Sequence, residues 1–222
     1  MARHLSKEEY ERTVYYCVDA IRDLEDETCR RLNALEKIDV DLIDRFIEIL
    51  KKFCDIVYAM YCYICEYMKI KPPNYVAVKF KPDSEFFGFF EYTWDRIILN
   101  LKPRDIGRYI ITILHELKHH IQYVTNPKKF IEEVKRYAKL NIDYRDREIE
   151  RDAKEEARKE LFNVMREIER KENFDFLEFY IDEIYDKASN IATMLYNNKD
   201  MLTKEARYRF INELMMSAIT NA

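Results

Sequence analysis

Turn-forming residues are scarce in this chain. Only 2 glycines and 5 prolines occur among its 222 residues. Glycine supplies the left-handed backbone conformations of tight turns, and proline presets the first position of many turns, so a fold with many strands and hairpins would need more of both. Long helices need neither residue. The sequence therefore predicts an α+β protein that is mostly α and has few strands.

Helical periodicity dominates both ends of the chain. Residues 7–35 and 40–68 predict two helices, because apolar residues recur there every three or four positions. We expect residues 1–70 to form an antiparallel helical hairpin. Further helices are predicted at about residues 128–139, 144–171, 175–197 and 203–219. We expect residues 161–222 to form C-terminal helices that pack on a core made by residues 71–160.

The strand signal is concentrated in the middle of the chain. Consecutive prolines in the KPPN stretch at 71–74 end the helical pattern, because they lack a donor and restrict the residue before them. YVAVKF (75–80), FFGFFEY (86–92) and RIILNL (96–101) then follow as short runs rich in β-branched and aromatic residues. They predict a small antiparallel sheet that ends in a hairpin. Pro103 suits a first helical turn, so an amphipathic helix is predicted to follow directly.

Charge and hydropathy exclude several classes of protein. Acidic and basic residues nearly balance at a net charge of −4, so a broad nucleic-acid-binding surface is not indicated. The N-terminus has no apolar signal-peptide core, and the longest charge-free stretch near the front, residues 56–65, is too short to span a bilayer. We expect a cytoplasmic protein without a membrane span. The abundance of Glu, Lys, Arg, Ile and Tyr, with a single glutamine, is typical of proteins from thermophiles.

The five cysteines all lie in the first third of the chain, in segments predicted to be helical. Cys62 and Cys65 have the C-x-x-C spacing of half a zinc site or of a redox pair. No second Cys or His pair lies nearby, and no βαβ pattern surrounds them. We therefore interpret them as part of a packed helix face, with a thiol or metal role as the alternative.

Three of the 4 histidines lie in the stretch TILHELKHHIQY, residues 112–123, which contains the pattern HExxH. His115 and His119 are four residues apart and share one face of the predicted helix, so both imidazoles can bind one metal ion. His120 points about 100° around the helix. Glu116 lies next to the first ligand, where it can take a proton from attacking water as a general base. This division of roles is typical of zinc-assisted hydrolysis.

A catalytic zinc site normally has three protein ligands and one open position, so a third ligand is required. It is not local, because Gln122 and Thr125 occupy the positions at which the extended pattern HExxHxxGxxH has Gly and His. The segment YRDREIERDAKEEA, residues 144–157, offers several carboxylates on a predicted helix. The third ligand is therefore expected there.

Glu150 is our choice within this segment. Ala153 and Ala157 lie on its helical face, and such small residues would let this helix pack closely against the HExxH helix. Glu148 is the alternative, because Asp152 lies four residues on and could accept a hydrogen bond from a ligating histidine.

These segments resemble a known family. HELKHHIQY, preceded by FFGFFEYTWDRIILNL and followed by YRDREIERDAKEEA, resembles the gluzincin branch of the zincin-type HExxH zinc metallopeptidases. The resemblance is greatest to the small-core proteins of the ImmA/IrrE-like and minigluzincin kind, in which a later E-x-x-A helix supplies the third ligand. It covers roughly residues 75–160 and implies a zincin-like core of a small sheet plus an active-site helix.

The resemblance also implies residue roles. His115, His119 and Glu150 would bind one Zn²⁺ ion, and Glu116 would be the general base. In this family a strand upstream of the active helix often pairs with the substrate backbone, so FFGFFEY is the candidate for that edge. A Tyr or His often stabilises the oxyanion, and the candidates are Tyr144 and Tyr123.

Three hypotheses of function follow, the last of which is a helical scaffold that binds no metal. The first is a zinc-dependent metalloendopeptidase that hydrolyses a peptide or protein substrate. The second is a catalytically silent or self-inhibited zincin-like module for binding or regulation, because long helical additions could cover the cleft or bind a partner such as DNA or a repressor protein. The sequence does not indicate the oligomeric state.

Overall fold

The computed structural model describes residues 5–80, 86–101, 106–172 and 175–212. It contains seven helices in that part of the chain, a three-stranded sheet, and 3₁₀ turns at Tyr144–Asp146 and Lys199–Met201. The elements in chain order are α1 (Lys7–Asn33), α2 (Val40–Met68), β1 (Tyr75–Phe80), β2 (Gly88–Glu91), β3 (Arg96–Leu101), α3 (Ile106–Thr125), α4 (Pro127–Leu140), α5 (Glu148–Glu172), α6 (Glu178–Asn197) and α7 (Lys204–Arg209). The predicted class, α+β and mostly α, is confirmed.

The first two helices form the predicted antiparallel hairpin. Ser6 begins α1 with a reciprocal capping box to Glu9, and the Asp39 side chain caps α2 by accepting from the backbone N–H of Leu42. An ion pair between Arg45 and Glu27 joins the helices near the connecting loop. At the opposite end, the hydroxyl of Tyr63 in α2 donates to the Leu5 carbonyl, just before α1, at 3.1 Å.

The sheet is mixed, so the predicted antiparallel sheet is wrong in one of its two pairings. Strands β2 and β3 form the expected antiparallel hairpin, but β3 lies between β2 and β1 and runs parallel to β1. The central position of β3 agrees with its burial on both faces. Ile97, Ile98 and Leu99 of β3 are all buried, as is usual for a strand with neighbours on both sides and helices against its faces.

One apolar core connects the two ends of the chain with the middle. Buried residues of α1, α2, β1, β3, α3, α5 and α6 form a single cluster. Helix α6 packs mainly against α1, where the Tyr10 hydroxyl donates to the Phe176 carbonyl and Arg22 pairs with Glu183. Ile38 and Leu202 form a β-bridge that joins the loop between α1 and α2 to the segment before α7. The predicted boundary at residue 160 lies within α5, so the N-terminal, middle and C-terminal segments share this core.

The helix predicted over residues 144–171 is interrupted. Tyr144–Asp146 form a 3₁₀ turn, Arg147 is extended, and α5 begins at Glu148. The backbone N–H of Glu148 donates to the Tyr137 hydroxyl of α4 at 3.1 Å, and the Asp143 carboxylate accepts from the N–H of Arg145. These side chains satisfy backbone donors that a continuous helix would have bonded internally.

Some predictions fall partly outside the described residues. Pro103 and the last part of the helix predicted over residues 203–219 lie outside them. All five cysteines lie in α1 and α2 as free thiols, and burial raises the pKa of Cys62 to about 11 and that of Cys65 to about 12. This is the expected state of a packed helix face. Among the residues that the structure describes, no helix is both long and apolar enough to cross a membrane.

Candidate metal centre

The two histidines of the HExxH pattern converge on one point, as their spacing predicts. Helix α3 continues without a break through Thr125, so His115 and His119 lie one above the other on the same face. Their Nε2 atoms are 3.1 Å apart. His119 is buried, whereas His115 is partly exposed. The pair therefore presents two ring nitrogens to a common site at the surface of α3.

Glu150 completes a group of three donors. Its Oε2 atom lies 3.1 Å from Nε2 of His119 and 3.3 Å from Nε2 of His115. Three ligands of a tetrahedral zinc ion, each at about 2.0–2.1 Å, would be about 3.3–3.4 Å from one another, so the observed triangle is close to that required. The chemistry also fits, because imidazole and carboxylate are common zinc ligands. His115, His119 and Glu150 therefore form a group that could hold a metal ion.

Contacts within this group shift the pKa values of Glu150 and His119. Burial alone would raise the pKa of the Glu150 carboxyl, but hydrogen bonds to His115 and His119 outweigh it and hold that pKa well below its usual range. For His119, burial lowers the imidazole pKa and the hydrogen bond to Glu150 raises it, with a net rise. Glu150 is thus held in its ionised form, which is the form that binds metals.

Glu116 lies beneath this group and is almost completely buried. Burial raises the pKa of its carboxyl, while electrostatic interactions with His115 and His119 and a hydrogen bond from the Phe90 backbone N–H act in the opposite direction. The net rise brings the carboxyl closer to the pKa of an effective general base. Glu116 is outside the group of three donors, as the predicted division of roles requires.

Gly88 allows strand β2 to approach α3 at this point. A Cβ atom built on Gly88 would lie 2.9 Å from Cγ2 of Thr112, 3.0 Å from the Ile98 carbonyl oxygen and 3.2 Å from Cγ of Glu116. Only a residue without a side chain fits these distances. One of the two glycines of the chain is therefore placed where the sheet meets the Glu116 side chain.

A glutamine fixes the orientation of one histidine, and the sequence analysis missed this role. Oε1 of Gln122 lies 2.9 Å from Nδ1 of His119, and Nε2 of Gln122 donates to the Ile149 carbonyl in α5 at 3.4 Å. With Nδ1–H donating to Gln122, Nε2 of His119 keeps its lone pair for a metal. The sequence predicted such a contact from Asp152, for the case in which Glu148 is the third ligand. The signal that could have found Gln122 is its rarity, since it is the only glutamine in the chain.

His120 points away from the group, as predicted, and has a structural role. Its Nδ1 lies 2.8 Å from Oδ1 of Asp95 in the turn between β2 and β3, and its Nε2 lies 3.1 Å from the Lys71 carbonyl oxygen. The other oxygen of Asp95 accepts from the backbone N–H of Asn74. His120 thus joins α3 to the segment before β1 and to the turn between β2 and β3, and it takes no part in the donor group.

The remaining candidates separate clearly by position. The hydroxyl of Tyr144 lies 3.3 Å from Nε2 of His115, and it also hydrogen-bonds Glu150. Tyr123 packs instead against the rings of Phe90 and Phe130. Glu148 is exposed and is not part of the donor group. Of these three, the structure brings only Tyr144 to the histidines.

The group opens into a cleft of about 270 Å³. One wall is β2, which is an edge strand of the sheet, together with the exposed side chains of Phe86 and Phe89. The opposite wall consists of residues of α4, the 3₁₀ turn and the start of α5. All lining residues fall between residues 86 and 150, so no described residue of α1, α2, α6 or α7 lines the cleft.

Hydrogen bonding within the hairpin determines which backbone groups of β2 face outward. The Asn100 N–H donates to the Phe87 carbonyl, so in this antiparallel pairing Phe89 and Glu91 bond to β3. Gly88 and Phe90 alternate with them and direct their N–H and C=O groups to the outer edge. This outer edge borders the cleft.

Comparison of the chain with protein-family models, with curated proteins and with solved structures gave no match. The class of the protein is therefore described from its own fold and donor group. The protein is an α+β, mostly α protein with a His–His–Glu group that could hold a metal ion, placed beside a buried glutamate in an open cleft.

Proposed function

We propose that the protein is a zinc-dependent metallopeptidase, related to the gluzincins, that hydrolyses peptide bonds. The observation that carries the proposal is the convergence of His115, His119 and Glu150 at mutual distances of 3.1–3.3 Å, with Glu116 buried beside them. A group that could hold a metal ion and a buried carboxylate outside it lie in one cleft, and this combination supports the proposal.

Each side chain has a defined part in this reaction. A zinc ion bound by the three donors would polarise a carbonyl and make water acidic enough to lose a proton near neutral pH. Glu116 takes the proton from the attacking water and passes it to the leaving amine. The Tyr144 hydroxyl donates a hydrogen bond to the oxygen of the carbonyl under attack as negative charge develops there. Outward-facing backbone groups of Gly88 on β2 hold the substrate backbone as an added strand.

The first experiment measures metal and turnover together. Protein purified without added zinc is expected to carry close to one equivalent of zinc and to hydrolyse unfolded casein. Glu116→Gln should keep the zinc and lose hydrolysis, whereas His119→Gln should lose the zinc. Full hydrolysis by the Glu116 variant would show that the base is another residue.

Matched variants test the ligand assignment. Glu150→Gln is expected to weaken zinc binding strongly, while Glu148→Gln, with the same change two residues earlier, should bind zinc normally. His120→Gln likewise serves as the control for His119→Gln. If the Glu148 variant lost zinc and the Glu150 variant kept it, the third ligand would be Glu148.

The alternative function is a catalytically silent zincin-like module. Zinc binding without turnover of casein would favour it. The self-inhibited form of that hypothesis gains no support from the described parts of α1, α2, α6 and α7, because the cleft is lined by other elements. The hydrolytic proposal therefore needs no removal of the N-terminal hairpin.

A further inference from the structure

We propose that Arg147 makes the cleft selective for a peptide that carries a carboxylate next to the reacting bond. This inference rests on the proposed function and names a substrate class for the same site. Arg147 lines the cleft together with His115, Glu116 and Glu150. It is the extended residue between the 3₁₀ turn and α5, so the break in the predicted helix places it there.

The guanidinium of Arg147 is held in place by aromatic rings. Its central carbon lies 5.8 Å from the ring centre of Tyr144 and 5.9 Å from that of Tyr137, and its Nε donates to the Ile142 carbonyl at 3.3 Å. Stacking of this kind restricts an otherwise flexible side chain, so less conformational entropy is lost when a ligand binds.

No carboxylate pairs with Arg147 among the residues that the structure describes. This separates it from Arg22, Arg31 and Arg209, each of which has an acidic partner within 2.8 Å. A half-buried guanidinium with terminal N–H donors is suited to a planar anion, and a carboxylate matches its two-pronged geometry.

The charge balance of the cleft favours the same ligand. Glu116, Glu150 and Arg147 are the residues with formal charges in the cleft lining, apart from the histidines. A divalent ion held by the donor group would balance the two carboxylates, which leaves the guanidinium as the surplus cation. An anionic substrate group is therefore attracted to the cleft, whereas a cationic one is repelled.

Two kinds of peptide can present a carboxylate to Arg147 near the reacting bond. One has its C-terminus there, which would make the enzyme a carboxypeptidase or a dipeptide-releasing enzyme. The other carries an Asp or Glu side chain near the bond. Both share the chemistry that Arg147 recognises, and the aromatic wall formed by Phe86 and Phe89 of the cleft accommodates apolar neighbours in either case.

Binding is measured on the zinc-loaded Glu116→Gln variant, so that hydrolysis does not interfere. Three fluorescein-labelled peptides of equal length, built from alanine and phenylalanine, are compared by fluorescence anisotropy. The first ends in a free carboxylate, the second is amidated, and the third is amidated but contains one internal glutamate. We expect one of the two carboxylate peptides to bind at least tenfold more tightly than the amidated neutral peptide. The tighter one identifies the source of the carboxylate.

Arg147→Gln in the same background should weaken that peptide by about 10- to 100-fold, the effect of losing a charge-assisted hydrogen bond, and leave the neutral peptide within twofold. Arg147→Lys should fall between, because it keeps the charge but not the two-pronged donor. Arg151→Gln, an equal charge change at an exposed position one turn further along α5, is the control and should have no effect.

The proposal would be overturned if all three peptides bound equally or none bound at millimolar concentration. It would also be overturned if Arg147→Gln weakened all three alike. The comparison of peptides on the protein that retains Arg147 does not depend on how well an Arg147 variant folds. If the zinc-loaded parent protein bound the peptides selectively but did not hydrolyse casein, the proposed function would be refuted and only the selectivity of the cleft for a carboxylate peptide would stand.

Discussion

The contact between Gln122 and His119 gives the sharpest quantitative prediction. In the variant Gln122→Ala, Nδ1 of His119 loses an acceptor at 2.9 Å, and the ring loses the contact that orients Nε2 toward His115 and Glu150. Water cannot readily replace the amide, since His119 is only 6% exposed. The imidazole is then free to adopt the other tautomer, which would turn an N–H toward the metal position.

The size of the effect follows from two independent considerations. Removing the partner of a ligating histidine typically weakens metal binding by 10- to 100-fold, which corresponds to about 1.4–2.7 kcal/mol. Leaving a buried donor without its acceptor costs about 1–3 kcal/mol. Because the His119 ring is buried, we expect a value near the middle of these ranges, a loss of about 30-fold in zinc affinity, or about 2 kcal/mol.

Zinc affinity is measured by competition with a chromophoric chelator, with circular dichroism as the check that each variant is folded. The variant Gln122→Glu serves as the control for the acceptor, because it keeps an oxygen of similar position at Nδ1 although it gives up the donation to the Ile149 carbonyl, and it should bind zinc within threefold of the parent. An alanine variant within twofold of the parent would refute the reasoning. So would a glutamate variant as weak as the alanine variant, since the effect would then come from packing or from the lost hydrogen bond to the Ile149 carbonyl and not from the acceptor at Nδ1.

Three further predictions follow from the structure. Gly88→Ala should destabilise the protein by about 1–3 kcal/mol in chemical denaturation, and Thr112→Ser, which removes the Cγ2 atom 2.9 Å from the new Cβ, should restore part of the loss. Tyr144→Phe should lower kcat for peptide hydrolysis by about 10- to 100-fold with zinc content unchanged, and loss of zinc would assign it a ligand-positioning role. The hydrogen bond from Arg45, with further attraction from Arg31, lowers the pKa of Glu27 in the folded protein below its usual 4.5. The ionised Glu27 therefore stabilises the fold above pH 4.5, and this contribution is lost as the pH falls through the lowered pKa. Denaturation measured down to about pH 3 should therefore show a shallower acid loss in Glu27→Gln than in the parent.

The donor residues of the site could be predicted from sequence where the geometry is local. His115 and His119 lie on one face because α3 is a regular helix over their whole spacing, and the same periodicity directs His120 elsewhere. The prediction of Glu150 also depended on the premise that the site needs a third ligand. Gln122 was missed because its role depends on the rotation of a neighbouring imidazole, which spacing alone does not specify.

The strand order shows why long-range pairing is harder to predict. The hairpin between β2 and β3 follows from a short turn, since strands joined in that way are antiparallel. The position of β1 depends on which edge of that hairpin remains open, and a local pattern carries no such information. One signal was present in RIILNL, because a strand with three consecutive buried apolar residues is typical of the centre of a sheet.

The break before α5 arises from contacts that are distant along the chain. No glycine or proline occurs between residues 128 and 172, so the sequence shows no reason for a helix predicted from residue 144 to be interrupted. The interruption depends on Tyr137, whose hydroxyl accepts from the N–H of Glu148 and thereby caps the start of α5 from another helix. The break turns Tyr144 toward His115 and leaves Arg147 at the cleft wall.

Close helix packing then explains how a carboxylate from α5 reaches the histidines of α3. Ala153 and Ala157 are buried, and α5 packs along α3 over much of its length, with Lys118 of α3 paired to Glu156 of α5 at 3.6 Å. Larger side chains at these alanines would increase the distance between the helices, which is commonly 8–10 Å and depends on the residues at the contact. A glutamate side chain cannot compensate for a displacement of several ångströms while also meeting two imidazoles at 3.1–3.3 Å. The position of Glu150 is therefore determined as much by the small residues that follow it as by the carboxylate itself.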